Sequence, residues 1–179
     1  ATNTAFVSTL NDVADGNTQS PAHLLIGPGA DGQISLREAI TAANNRAGAD
    51  TITFTTSGTI ALLAGLPTLR DTAGGTTING GGVVTLDGTA LGGTLSGILI
   101  TSADNLLNGL NLVNFPGNGI DISGVNATGN GVVGCLVGTN GTSVLANDGH
   151  GIEIRNGASD NIIGGATSAE RNVVSGNTG

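Results

Sequence analysis

The chain has 179 residues and a formal charge of −8, from 13 acidic residues against five arginines and no lysine. That length suits one domain with a continuous core, and the acidic balance excludes the clustered basic surface that nucleic acid or anionic lipid requires. Its longest apolar runs, such as Ile60-Ala61-Leu62-Leu63-Ala64, are far too short to span a bilayer, so no membrane insertion is expected.

Only Phe6, Phe54 and Phe115 are aromatic, so short aliphatic side chains must fill the interior in layers. The 32 glycines follow no three-residue period and read as turn residues. Methionine is absent, which fits Ala1 as a start left by signal-peptide removal or by excision from a longer sequence. The expected location is secreted or cell surface.

In chain order, Thr4 to Ser8 alternates as a strand would, and Asn11 to Gly32 reads as a long ordered loop. Ser35-Leu36-Arg37-Glu38 is a capping box. With Leu36, Ala39, Ile40 and Ala43 at helical spacing, it predicts a helix from Leu36 to about Asn44 that covers one end of the fold. Residues 1–49 thus form a strand, loop and capping helix, and 50–179 form the repeating part of one continuous structural domain.

From Asp50 the period becomes two, and the sequence begins to repeat itself. Gly97-Ile98-Leu99-Ile100 returns as Gly119-Ile120-Asp121-Ile122 and Gly151-Ile152-Glu153-Ile154, with starts 22 and then 32 residues apart. Leu107-Asn108-Gly109-Leu110-Asn111-Leu112 returns as Val132-Val133-Gly134-Cys135-Leu136-Val137, and Asp104-Asn105-Leu106-Leu107 as Asp160-Asn161-Ile162-Ile163. Strands in fixed order, separated by glycine and asparagine turns, predict an all-β fold: a right-handed parallel β-helix, or solenoid. Its coils would be 51–69, 76–100, 105–122, 131–154 and an incomplete fifth from 161. Of 19 asparagines, 13 lie between Asn105 and Asn177, where stacked side-chain amides can bond from coil to coil.

The fifth coil stops at Gly179, before its Gly-Ile-x-Ile strand. Either the sequence is a piece of a longer chain or another chain completes the edge. In the second case, residues 1 to 10, with Phe6 and Val7, would be the donor and Val173 and Val174 the acceptor of a head-to-tail filament.

Ser35-Leu36-Arg37-Glu38-Ala39-Ile40, followed by Ala42-Ala43-Asn44 and Gly48-Ala49-Asp50-Thr51-Ile52-Thr53-Phe54, resembles the N-terminal domain named for the motif CSLREA. Asn161-Ile162-Ile163-Gly164-Gly165 and Glu170-Arg171-Asn172-Val173-Val174-Ser175-Gly176-Asn177 resemble the repeats that often follow it. The resemblance covers most of 33–179 and implies a secreted bacterial protein that continues as a right-handed parallel β-helix, surface-exposed and structural or adhesive. It supplies no catalytic residue. Ile34 stands where that family has its leading cysteine, which removes a disulfide at that point.

Cys135 has no internal disulfide partner and reads as a small buried hydrophobe. In the Gly-Ile-x-Ile strands the outward column is Leu99, Asp121 and Glu153. Direct stacking would bring the two carboxylates to about 5 Å, a separation that serves a retaining glycosidase or holds a cation. Arg155, on the same face, would instead neutralise them. His150, after Asp148, lies in a Gly-His-Gly that resembles pectin-degrading β-helix hydrolases, as Asn118-Gly119-Ile120-Asp121 resembles their Asn-Thr-Asp strand. The paired aspartates and the Arg-Ile-Lys of those enzymes are missing, and so is the acidic cluster of β-helix lyases.

Residues 88–96 and 138–149 enlarge the turn before a Gly-Ile-x-Ile strand and should protrude from one edge, where recognition loops sit on a rigid scaffold. The function expected is a non-enzymatic extracellular structural module of a bacterial surface protein, adhesin or filament, with no cofactor or metal. Its partners would be further copies end-to-end, the rest of a longer chain, a glycan or a surface protein. The alternative is a carbohydrate-active hydrolase or lyase, or a glycan-binding module.

Overall fold

The computed structural model describes residues 3–179, so residues 1 and 2 of the expected donor segment lie outside the described residues. The fold is mostly parallel β-sheet with few helices, and every pairing between named strands is parallel.

Three ladders carry the pairing. The first runs β1 (Thr4–Val7), β2 (Asp50–Phe54), the start of β4 (Thr76–Asp87), the start of β6 (Leu106–Val113), β8 (Gly131–Val133) and β11 (Ile162–Ile163). The second runs β3 (Gly58–Ala61), the ends of β4 and β6, β9 (Leu136–Val137) and β12 (Val173–Val174). The third is β5 (Ile98–Ile100), β7 (Ile120–Ser123) and β10 (Ile152–Arg155), to which Leu69 adds a single bridge at Ile100. Leu69 alone stands for the expected 66–69 strand.

Register follows the written repeats. Ile52 pairs with Ile78, Ile78 with Leu107, Leu107 with Val132 and Val132 with Ile163. Likewise Ile60, Leu86, Leu112, Val137 and Val174 align, as do Ile100, Ile122 and Ile154. These aliphatic columns fill the core until the last rung, where Ile154, Ile163 and Val174 are 42%, 41% and 47% exposed. At the bend between the first two ladders, Gly109 and Gly134 both hold φ 63°, a left-handed conformation that strains any residue with a Cβ.

Asparagines tie the rungs together. The N–H of Thr76 donates to Asn105 Oδ1, that of Asn105 to Asn130 Oδ1 and that of Asn130 to Asn161 Oδ1, each at 2.9 Å. Each stacked asparagine follows a left-handed residue, Asp104 (φ 59°), Gly129 (φ 66°) or Asp160 (φ 57°). A second stack passes from the Phe115 N–H to Asn147 Oδ1 (2.9 Å) and from Asn147 Nδ2 to Asn177 Oδ1 (2.8 Å). Backbone donors that turn away from the ladders at each bend are thereby satisfied without water.

The expected helix is α2 (Leu36–Asn44), and its capping box is complete: Glu38 N–H donates to Ser35 Oγ at 3.2 Å and Ser35 N–H to Glu38 Oε2 at 2.8 Å. Leu36, Ala39, Ile40 and Ala43 pack inward. Glu38 Oε1 also accepts the N–H groups of Asp15 (2.8 Å) and Gly16 (2.6 Å), which pins the preceding loop. Arg37 grips Asp12 through Nε (2.9 Å) and Nη2 (2.7 Å) and donates to the Gly65 and Ala64 carbonyls, both at 2.7 Å. Ser35, Arg37 and Glu38 thus fasten the helix to the loops at 12–16 and 64–65, while Leu36 and Ala39 pack into the core.

Two expectations are corrected. The 11–32 loop contains a short helix, α1 (Pro21–Ile26), with Ser20 as N-cap and proline at its first position. The N-terminal strand is not free for donation to another chain. β1 is paired to β2 within its own chain, with Ala5 and Val7 buried in the core and Thr4 and Phe6 on the outer face, Phe6 41% exposed.

Candidate functional site

The outward column of the third ladder is as the repeat predicts: Leu99 pairs with Asp121, and Asp121 with Glu153. One strand position beyond the isoleucine, Arg155 returns to the same face. Its guanidinium makes a two-pronged contact with Asp121, Nε to Oδ1 at 3.0 Å and Nη2 to Oδ2 at 2.6 Å, and Nε lies 3.4 Å from Glu153 Oε2. The hydrogen bonds and charge of Asp121 hold the arginine protonated above its ordinary pKa. Asp121 is 3% exposed, whereas the Arg155 side chain is 47% exposed.

Asn118, at the turn before β7, completes the cluster. Its Nδ2 donates to Glu153 Oε2 at 2.6 Å, and its Oδ1 accepts the His150 N–H at 2.8 Å. His150 joins only through that backbone group; its side chain lines neither hollow beside the cluster. Asp148 does line one.

The enlarged turns lie along one edge with the short turn between them. Gly117 N–H donates to the Leu95 carbonyl at 3.1 Å, and Gly149 N–H to the Gly117 carbonyl at 2.9 Å, so 88–96 and 138–149 flank the short 114–118 turn. Between this edge and the third ladder lie two hollows of about 360 Å³ and 240 Å³. They share Thr94, Ser96, Asp121 and Arg155 as common walls, which makes them one trough. A separate hollow of about 330 Å³ near Thr72, Ser102 and Thr128 carries no titratable side chain.

The arrangement presents fixed acceptors and donors. Asp121 is clamped by the arginine fork and Glu153 is held by both Arg155 and Asn118, so each carboxylate has a structural partner on at least one oxygen. Among the described residues, no group of three or more His, Cys, Asp or Glu is placed to hold a metal ion. Cys135 is buried in the core and its burial pushes the thiol pKa up, far from nucleophile chemistry. Val173 and Val174 lie at the exposed last rung, 36% and 47% exposed, while Phe6 sits at the opposite end of the first ladder.

Sequence reasoning found the Asp121, Glu153 and Arg155 column because period two fixes which side chains share a face. It missed Asn118 as a bridge to Glu153, since a turn residue carries no periodicity, and it missed the Thr94 and Ser96 walls for the same reason. No helix among the described residues is long and apolar enough to cross a membrane. No protein-family model, curated protein or solved structure significantly matches this chain.

Proposed function

We propose that the chain is a capped right-handed parallel β-helix that serves as a non-enzymatic extracellular structural module of a bacterial surface protein, adhesin or filament. The observation that carries this reading is the set of three parallel ladders, each visited in the same order, whose rungs are tied by stacked asparagines. Right-handedness follows from the strong preference of parallel crossover connections for that hand. The Ser35 to Ile40 resemblance to the CSLREA-type domain supports the secreted, surface-exposed assignment. The engagement of Asp121 by Arg155 and of Glu153 by Asn118 supports a binding or structural role over acid–base catalysis, which needs one carboxyl free to donate a proton.

Ile154, Ile162, Ile163, Val173 and Val174 expose apolar surface beside unpaired strand edges, a surface suited to more rungs from the same chain or from another copy. A head-to-tail contact would add that edge to the outer edge of β1, beside the exposed Phe6, with β1 kept in its own sheet.

The test joins two measurements on the purified chain. Sedimentation over a range of concentrations should show association that Val173→Asp or Val174→Asp weakens, and incubation with a panel of neutral and uronate polysaccharides should release no reducing or unsaturated ends. Turnover of any of these polymers would overturn the non-enzymatic reading. A chain that remains monomeric at high concentration would overturn the filament form of it.

A further inference from the structure

We propose that the trough across the third ladder is a binding site for a linear, uncharged, hydroxyl-rich polymer, that is, a neutral polysaccharide. This goes beyond the structural reading and does not depend on how the module ends.

Arg155 is immobilised on Asp121 through Nε and Nη2, and among the described residues no partner is placed on its Nη1, which leaves a rigid donor on a half-exposed side chain. Beside it, Glu153 spends Oε2 on Asn118 and keeps Oε1 as an acceptor. Asp148, exposed on the 138–149 turn, adds a second carboxylate, and the hydroxyls of Thr94 and Ser96 both donate and accept. A donor set rigidly beside acceptors matches neighbouring sugar hydroxyls, each of which donates once and accepts from another group. Arg155, Asp121 and Glu153 are already held by one another and by Asn118, so these three lose little ordering entropy when the ligand arrives.

Shape and charge select the ligand. The walls run from Gly65 and Leu66 in the first repeat to Asp148 and Glu153 in the fourth, three strand spacings or about 14 Å, so the site suits an extended chain lying along the ladder stack. Leu66, Leu95 and Pro116 offer apolar surface for the C–H faces of sugar rings. Asp121, Asp148 and Glu153 against Arg155 leave a net charge of −2 in the trough, on a protein of net charge −8, which repels uronate and sulfated polymers.

The test is affinity electrophoresis of the folded chain in gels containing a soluble β-glucan, a galactomannan or dextran, with polygalacturonate as the anionic probe. At least one neutral polymer should retard the chain and polygalacturonate should not. Glu153→Gln should weaken the retardation about tenfold, the loss of roughly one hydrogen bond to a charged group. Leu95→Arg, at a position 44% exposed that tolerates the change without refolding the core, should abolish it by filling the smaller hollow of the trough. Retardation by none of the three neutral polymers, retardation by polygalacturonate as strong as by any of them, or variants with unchanged melting that bind as the parent does would each overturn the proposal.

Discussion

The Oδ1 of Asn130 accepts two hydrogen bonds from Asn105, one from its backbone N–H and one from its side-chain amide, both at 2.9 Å. Asn130 repeats the same pair of donations to Asn161. One residue type thus acts as acceptor to the rung before and donor to the rung after, which neither aspartate nor serine can reproduce in full.

Asn130→Ala should therefore cost about 1 to 3 kcal/mol, because the buried Asn105 N–H loses its acceptor, while Asn105 Nδ2 keeps Ser102. Asn130→Asp restores the acceptor but sets a carboxylate oxygen against Asn161 Oδ1. Its folded pKa should rise, so the variant's stability should recover on acidification and fall again as pH climbs through that raised value. Urea unfolding at acid and neutral pH distinguishes the two substitutions.

At the helical end the Glu38 carboxylate gathers three backbone donors. Ser35→Ala should cost about 1 kcal/mol as a lost N-cap, and Glu38→Ala about 3 kcal/mol or more, because the N–H groups of Asp15, Gly16 and Ser35 all lose their acceptor. Equilibrium unfolding by circular dichroism reads both. Equal costs for the two would argue against Glu38 as the organiser of the loop.

Two aspartates push stability in opposite directions with pH. At Asp50, burial raises the pKa above its usual 3.8 despite the Arg46 guanidinium at 3.0 Å, and Asp71 adds repulsion. Its folded form holds a proton that the unfolded chain has released, so stability is lost as pH rises through the ordinary carboxylate range toward the raised value. At Asp87, partial burial opposes ionisation, but the hydrogen bonds from Thr89 and Asn114 outweigh it and lower the pKa. That contribution is present above the ordinary carboxylate pKa and is lost as pH falls through the depressed one. Asp50→Asn should flatten the first slope and raise stability at neutral pH, and Asp87→Asn should lower it. The free energy of unfolding across the acid range shows whether the signs are right.

Much of this was readable before the structure, for physical reasons that differ by element. α2 was legible to its ends because a capping box marks the start and an apolar stripe sets the face. Ladder register was legible because Gly-Ile-x-Ile recurs, and a one-residue slip would turn every isoleucine outward. The short α1 escaped because six residues make less than two turns, although Ser20-Pro21 is an N-cap followed by proline. The partner of β1 escaped because its alternation says that it is a strand and nothing about pairing with residues 47 positions away. In the site, same-face spacing announced the Asp121, Glu153 and Arg155 cluster, while the unequal sharing of Arg155, a fork on Asp121 and a longer contact to Glu153, depends on rotamers that spacing does not encode.

That fork is testable by a double-mutant cycle. Asp121→Asn and Arg155→Gln should each destabilise the fold, and their combination should cost less than the sum by about 1 kcal/mol, since half of the arginine remains in water. Strict additivity would mean that the contact contributes nothing to stability.

The most direct test of the account is the pattern of interstrand contacts in solution, measured as amide-to-Hα nuclear Overhauser effects on labelled protein. The parallel arrangement predicts contacts that link Ile78, Leu107, Val132 and Ile163 in order, and in the same way Leu86, Leu112, Val137 and Val174, with the Asn105 and Asn130 amides shielded from exchange. Contacts of antiparallel type between successive strands, or rapid exchange of those two asparagine amides in the folded chain, would contradict it.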